Sequence, residues 1–483
     1  MKNATLRSIG LLLFTIVPCL THAQARIAYQ LQYVRPGDCC VRVQIKFTEG
    51  VKAPIALVMP RTYPGGYEQI LYDSFVDGVS AFDVSGKTLA VKHAEDGPRW
   101  NIGRASESVK RIEYQVDIGR MESSILSSVE TSKVRRAYVG LLGYSIFAFV
   151  DGLEDRPIEL VVDAPENWPV LATLAPKVPP PVKTTAVGAP DYYGLADSQI
   201  LMGPDLQVNR LEGKIPLVLA VYSESAVDLD IEGRLARKAL DDVQAYFGDT
   251  PFPQYTVQLE FFKPLAGHGY DFSQEHIDSG TFTFSLDWIM SAKTTSDKRE
   301  AMLVNYAHHM AHSWIPKRAY GAGYRPVTWE LAPVIDTIWF NEGFGRYVGI
   351  EAIAQGMPRD EAAAFRENEL GWLRQILDEA PPFIQKMSIE TLSREASFLY
   401  AVDFRLGKNT FARGALMAAE MDERIRSKTH GEKSLREALR TLLAWSNTNQ
   451  RPFRLEEMMQ MFSEGTGVDV HDILKRWQEP LSK

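Results

Sequence analysis

Cysteine is nearly absent from this 483-residue chain, which has three. Cys19 lies in the first, leader-like segment, and Cys39 and Cys40 are adjacent. Neighbours in sequence cannot tie distant parts of a fold together, so the chain is not a disulfide scaffold. The pair is either a strained vicinal disulfide or two thiols. An excess of positive charge is lacking too: 53 Lys and Arg stand against 61 Asp and Glu, a formal net charge of −8. No nucleic-acid surface is expected from that balance. Beyond the first segment, no apolar stretch approaches the ~20 residues that cross a bilayer. What is present is an ordinary folded composition, 45% hydrophobic and 24% charged. That is enough for a sizeable core, and the length admits about three domains.

The opening "MKNATLRSIGLLLFTIVPCLTHAQA" has Lys2 and Arg7, a short apolar run from Ile9 to Leu20, and the small-residue ending Thr21-His22-Ala23. This is a secretory leader pattern. Cleavage near Ala23 and export, to a periplasm or to the medium, are expected. Removal of Lys2 and Arg7 leaves 51 basic against 61 acidic residues, a net of −10.

The next two hundred residues read as β-structure. Ile27, Tyr29, Leu31 and Tyr33 alternate with polar residues, "RPGD" (Arg35 to Asp38) supplies a turn, and Val41, Val43, Ile45 and Phe47 alternate again. This predicts a hairpin with one buried face. Ile112, Tyr114, Val116 and Ile118 repeat the pattern. "APKVPPPVKTTAVGAP" (Ala175 to Pro190) is expected to be a loop, because proline suits neither a central strand nor a helix interior. From about residue 230 the spacing becomes helical. Glu232 to Asp249 predicts a helix that stops at Gly248, and 255–285 reads as strands with a glycine-rich bend. Helices dominate from Asp297 onward. Capping boxes are expected at Asp297/Glu300 and Ser434/Glu437, and a late helix from Leu455 is expected to end at Gly465. There is no internal repeat.

Three of the nine histidines fall within "NYAHHMAHSW" (Asn305 to Trp314). His308 and His312 are four apart, so a helix puts them on one face, one turn above the other. Two imidazoles there can share one metal ion. Glu342, thirty residues after His312 in the bulky word "WFNEG", can bring a third ligand from a second helix read at 336–352. The spacing alone also suits a core histidine and a carboxylate paired with arginine.

"AHHMAHSWIPKR" followed by "WFNEGFGRYVG" resembles the glycyl-aminopeptidase family of zinc metallopeptidases, family sixty-one of the gluzincin clan. That family reads H-E-x-x-H-T-W-N, a nearby K-R, then W-x-x-E-G-F-T. "MPRTYPGGYEQILYDSFVDG" resembles the family's N-terminal P-G-S-Y word, and "FFKPLAGHGYDFSQEHIDSG" its glycine-rich substrate edge ending in Glu-His. "TFARGALMAAEMDERIR" resembles the helix that begins Y-x-K-G. The resemblance implies an α+β multidomain fold. After a signal peptide (1–23) come a β-rich N-terminal domain (24–222), a thermolysin-like gluzincin catalytic domain (223–355) and an α-helical C-terminal domain (356–483). It implies zinc on His308, His312 and Glu342. It also implies substrate binding by Glu275 and His276, where a carboxylate meets a free amino terminus. The partner is then a peptide or protein, as substrate or ligand, with no nucleic acid and no membrane span once the leader is gone.

The chain departs from the family at two chemical positions. The glutamate after the first histidine is the general base of such sites, and here it is His309. The tyrosine that hydrogen-bonds the oxyanion is here Phe411, after Thr410; Tyr400 is the nearest tyrosine in sequence. His309 could replace the base, ligate the metal and close its open position, or do neither. The expectation is a metallopeptidase-like, zinc-binding protein with weakened or lost peptidase activity. The alternative is an active aminopeptidase for peptides with small N-terminal residues, working with a non-standard base.

Overall fold

The computed structural model describes residues 27–125, 128–175, 184–265 and 270–481. The leader reading at 1–23, with Cys19, lies outside them. The alternation in the first half closes into sheets as expected. Ile27–Gln32 pairs antiparallel with Cys40–Lys52, with Tyr29 opposite Ile45 and Leu31 opposite Val43. Their shared face is buried. These strands sit in a six-stranded sheet with Ser108–Asp117, Val76–Phe82, Ile158–Asp163 and Thr184–Ala189. The last of these corrects the loop expected at 175–190. Its C-terminal part is an edge strand against Ile158–Asp163, where backbone N–H groups lost to proline are tolerated. Residues 176–183, with the proline run, are outside the described residues. Two four-stranded sheets complete this half, which has its own apolar core. Cys39 and Cys40 are free, at the start of Cys40–Lys52, with Sγ atoms 2.7 Å apart.

The second half is built on a five-stranded sheet. Leu217–Ser223 and Tyr255–Phe262 are parallel neighbours joined through the helix Leu229–Phe247, a βαβ crossover. That helix ends at Gly248, whose φ of +83° suits glycine. Ser279–Ser285 follows in the sheet, and Phe272–Glu275 forms its edge. Gln207–Leu211 pairs on the other side, so the sheet takes in residues on both sides of position 222, and 222 itself lies inside Leu217–Ser223.

Helices Ser296–Ala311, Gly345–Gln355, Arg359–Asp378, Ile389–Leu399 and Phe404–Lys428 pack on and beyond this sheet, and the second core runs through sheet and helices without a break. The N-cap of Ser296–Ala311 is Thr295, whose hydroxyl accepts from the Lys298 N–H. Asp297 therefore lies in the first turn, where its charge still complements the helix dipole, and the box expected at Asp297/Glu300 does not form. The box at Ser434/Glu437 does form. The late helix runs past Gly465 to Thr466 and stops at Gly467. Among the described residues no helix is long and apolar enough to cross a membrane.

Candidate metal centre

Each member of the candidate centre is positioned by a different local device. His308 and His312 project from the C-terminal end of Ser296–Ala311, His312 being its C-cap. Glu342 sits on a π-helical turn, Trp339–Phe344, that opens the helix Gly345–Gln355. Such wide turns recur at functional sites. The two helices come close because the second presents glycine. A Cβ on Gly345 would lie 2.9 Å from His312 Cε1, and one on Gly349 would lie 3.1 Å from the His308 N. The same turn meets Phe404–Lys428 through Gly343 and Gly414, where any Cβ would overlap the facing backbone.

Three donor atoms converge. His308 Nε2 is 3.2 Å from His312 Nε2, and both imidazoles face Glu342 Oε2, at 3.5 and 3.6 Å. Ligands held tetrahedrally at 2.0–2.1 Å from zinc stand about 3.3 Å apart, so this triangle has the dimensions of a zinc ligand set. The outer contacts agree. His312 Nδ1 lies 3.0 Å from the Ile315 carbonyl; donating there leaves the Nε2 lone pair facing the triangle. Tyr67, from the N-terminal half, donates its hydroxyl to Glu342 Oε1 at 2.7 Å and accepts from Asn341 Nδ2 at 3.2 Å. Burial, then Glu342, holds the Tyr67 hydroxyl well above its ordinary pKa, so it remains a donor.

The electrostatics also ask for a cation. Burial opposes charge on His312, but Glu275 and Glu342 outweigh it and raise its pKa to about 9. Burial, joined by His312, pushes His308 well down. Burial would raise the Glu342 carboxyl, yet His312 and His308 hold it well below the usual range. With neutral imidazoles, two buried carboxylates face the pocket, and one dication balances them. His308 Nδ1, His309 Nδ1 and Glu275 Oε1 are buried and have no hydrogen-bond partner.

His309 lies beside this triangle, with ring centroids 4.8 Å from His308 and 5.7 Å from His312. Its Nδ1 is 3.6 Å from Glu275 Oε2, an ion-pair distance too long for a hydrogen bond. Burial lowers its pKa against the pull of Glu275. The three histidines offer ligand atoms within 4.8 Å of one another. That spread is looser than the triangle made with Glu342. Glu275 ends the edge strand and is 4% exposed. Gly65, at φ +94°, presses against it: a Cβ there would lie 2.5 Å from Glu275 Oε1, so both the backbone angle and the space require glycine. Phe411 is half-buried, with its ring 5.6 Å edge-on from His308, and brings no hydroxyl to the pocket. Tyr400 packs on Tyr67 with centroids 5.3 Å apart. Burial, then Glu342 and Glu275, raises its pKa well above the ordinary value.

His276 is placed elsewhere. It is 1% exposed, with Nε2 3.1 Å from Thr281 Oγ1 and Nδ1 3.5 Å from Asp197 Oδ1. Both ring nitrogens face protein groups, Nδ1 at ion-pair rather than hydrogen-bond distance. It belongs to a buried network between the two halves. There Lys317 Nζ donates to the Pro64 carbonyl at 2.9 Å and pairs with Asp197 at 3.1 Å. This network holds the loop of Gly65 and Tyr67 over the pocket. Sequence reading noted "YPGGY" and the K-R word without finding these contacts. No local signal links a tyrosine to a carboxylate 275 residues away. A cavity of about 900 Å³ lies apart, lined among others by Glu351, Arg366, Asp422 and Arg426. Those charges already pair with one another.

Comparison with known proteins agrees with this architecture. Residues 28–204 match the Peptidase M61 N-terminal domain. An aminopeptidase N family protein from Idiomarina loihiensis superposes with a TM-score of 0.82 at 21% identity, over 95% of this chain and 76% of that one. A two-domain M1 zinc metallopeptidase mutant bound to L-tryptophan gives 0.54 at 15%, over 95% of each. An M1 zinc metallopeptidase mutant from Deinococcus radiodurans, bound to a Tyr-Ser-Ala substrate, gives 0.51 at 14%, over 95% of this chain and 94% of that one. No curated protein matches the chain. The fold is that of the M1 zinc metallopeptidases, and residues 28–204 are similar to the Peptidase M61 N-terminal domain.

Proposed function

We propose that this chain is an exported, zinc-binding, metallopeptidase-like protein whose peptidase activity is weakened or lost. His308, His312 and Glu342 hold the zinc, which when bound polarises a water or a substrate carbonyl. The observation that carries the reading is the pairing of this intact triangle with two missing groups. His309 stands at the general-base position, and its Nδ1 faces Glu275. Phe411 stands against His308 without a hydroxyl. General acid–base catalysis contributes roughly 10²–10⁴-fold, and one oxyanion donor about 10²–10³-fold. Losing both removes on the order of 10⁴–10⁷-fold. The binding half of the site is kept. Glu275 Oε1 is a buried acceptor without a partner, suited to a peptide's free amino group, and the edge strand offers its backbone to an extended peptide.

One observation favours a second reading. Burial keeps His309 in its neutral, proton-accepting form, and the Glu275 carboxylate is near enough to orient it. An active aminopeptidase for peptides with small N-terminal residues would use that pair in place of glutamate. The test is hydrolysis of aminoacyl and peptide substrates by the zinc-loaded mature protein beside His309→Glu and His308→Ala. The first reading expects a silent or feeble wild type, a gain of at least about tenfold for His309→Glu, and silence for His308→Ala. Ordinary turnover by wild type that His308→Ala abolishes would overturn it in favour of the second.

A further inference from the structure

The turn from Arg35 to Asp38 ends at two neighbouring cysteines that the metal chemistry does not use. Cys39 is exposed and Cys40 half-buried. Their Sγ atoms stand 2.7 Å apart. Asp38 brings a carboxylate oxygen within 4.8 Å of both sulfurs, a grouping that could hold a metal. Two sulfurs bound tetrahedrally to one zinc, at about 2.3 Å each, stand about 3.8 Å apart. A disulfide holds them at about 2.05 Å. The observed pair is too close for a shared zinc and falls nearer the disulfide. Apart from Cys19 in the leader-like segment the chain has no other cysteine, so each thiol has only its neighbour as an internal partner.

The peptide between the two cysteines also holds a helix. The Cys39 carbonyl accepts from the N–H groups of Ile118 at 2.9 Å and Gly119 at 3.2 Å, the first residues of the helix Ile118–Ser124. A Cβ on Gly119 would lie 3.3 Å from Cys39 Cβ. Cys40 stands opposite Asp117, whose side chain caps the same helix through the Arg120 N–H. Disulfides usually join Cα atoms roughly 4.4–6.8 Å apart, whereas adjacent Cα atoms are about 3.8 Å apart across a trans peptide. Bonding the two sulfurs closes a small ring that contains this peptide. The strain then falls on the carbonyl that holds the start of the helix. Strained or exposed disulfides are the readily reduced ones.

We propose that Cys39 and Cys40 form a reversible dithiol–disulfide pair that exchanges with an external disulfide, and that closing the ring loosens the start of the helix Ile118–Ser124. The Cys39 thiolate attacks one sulfur of the external disulfide, forming a mixed disulfide and expelling one thiolate. Cys40 gives its proton to that thiolate and attacks Cys39 Sγ, expelling the second. The pair loses two electrons and two protons, and the external disulfide becomes two thiols. Burial, then the hydrogen bond with Cys39, raises the Cys40 thiol to about 12. The exposed Cys39 therefore reacts first and Cys40 closes the ring.

The test equilibrates the mature protein with mixtures of reduced and oxidised glutathione, traps it with N-ethylmaleimide and weighs it by mass spectrometry. Under oxidised glutathione the expected product is a monomer lighter by two hydrogen atoms, with no adduct and no alkylated thiol. Reduced glutathione is expected to return both thiols. Hydrogen exchange of the Ile118 and Gly119 amides is expected to speed on the order of tenfold on oxidation. In Cys39→Ser and Cys40→Ser the same oxidant is expected to change it by less than about twofold. Stable glutathione adducts or linked dimers in place of the ring, two thiols that stay reduced under oxidised glutathione, or a ring that reduced glutathione leaves intact would each overturn the pair. Unchanged exchange at Ile118 and Gly119 in the ring-closed form would overturn its coupling to the helix.

Discussion

Two of the buried charge clusters among the described residues are built on opposite plans. Between the halves, Lys133 pairs with Glu260 at 3.1 Å, with side chains 1% and 0% exposed. Glu260 also accepts from Tyr138 at 2.7 Å and from Gln258 and Thr283 at 2.9 Å. Lys317 and Asp197 repeat the plan, with Asp197 also accepting from the Ile277 N–H at 2.6 Å. Each charge there meets its opposite, although His276 Nδ1 and Gln258 Oε1 in the same network have no hydrogen-bond partner. In the metal pocket three imidazoles and two carboxylates crowd together, and His308 Nδ1, His309 Nδ1 and Glu275 Oε1 are left without partners. A closed network of this kind fixes geometry. An open one leaves donor atoms for something added, and three imidazoles with two carboxylates suit a cation.

The sharpest break in the comparison is to open the closed network. Lys133→Ala strands Glu260 without its cation, and removing one partner of a buried pair costs about 3–5 kcal/mol. Urea unfolding is expected to show that loss while zinc affinity of the folded protein stays within about twofold. A loss below about 1 kcal/mol would put the network among weak surface pairs. The open cluster should respond in reverse. Zinc at a hundred times its dissociation constant is expected to stabilise wild type by about 2.7 kcal/mol. His308→Ala should lose that gain, and thermal unfolding with and without zinc reads it. A full zinc shift in His308→Ala would exclude the triangle.

A third prediction concerns the support of the open cluster. Tyr67→Phe removes the hydrogen bond to Glu342 Oε1, and zinc affinity is expected to fall about tenfold, as for other residues that orient ligands. Competition with a chromophoric chelator measures it. The same assay carries a pH signature. A proton on metal-free His312, whose pKa is about 9, competes with the metal. Affinity should therefore rise about tenfold per pH unit between pH 7 and 9 and flatten above. A flat profile across that range would remove the strong proton competitor.

The smallest effect tests a carboxylate with no ion-pair partner among the described residues. Glu232 accepts from the Met290 N–H at 2.9 Å, and burial raises its pKa to about 7. The folded state then keeps a proton that the unfolded chain gives up above its ordinary 4.5. This contribution is present below pH 4.5 and is lost as pH rises through 7. Glu232→Gln is expected to be about 1–2 kcal/mol more stable than wild type at pH 8. Equal or lower stability for the variant at pH 8 would argue against a strained carboxylate.

Local signals explain what could be read in advance. Period-two alternation marked Ile27–Gln32 and Cys40–Lys52, because one face of each strand is buried and the other wet. The four-residue spacing of His308 and His312, with Glu342 after them, marked the pocket, because helix periodicity alone aligns the two imidazoles. The misreadings were local competitions. Thr295 outranked Asp297 as a cap, and Thr184–Ala189 joined a sheet that has room for an edge strand. Tyr67, Gly65, Lys317 and Asp197 were out of reach for a different reason. Their roles depend on docking one half of the chain on the other, and docking leaves no periodicity in either half. The contact of His276 with Asp197 was out of reach for that same reason.

In the proposed function His308, His312 and Glu342 hold one zinc and His309 holds none. Equilibrium dialysis with metal analysis tests it most directly, on wild type, His308→Ala and His309→Ala. One zinc per chain is expected for wild type and for His309→Ala, and none for His308→Ala. Zinc lost from His309→Ala as fully as from His308→Ala, or no zinc bound by wild type, would contradict it.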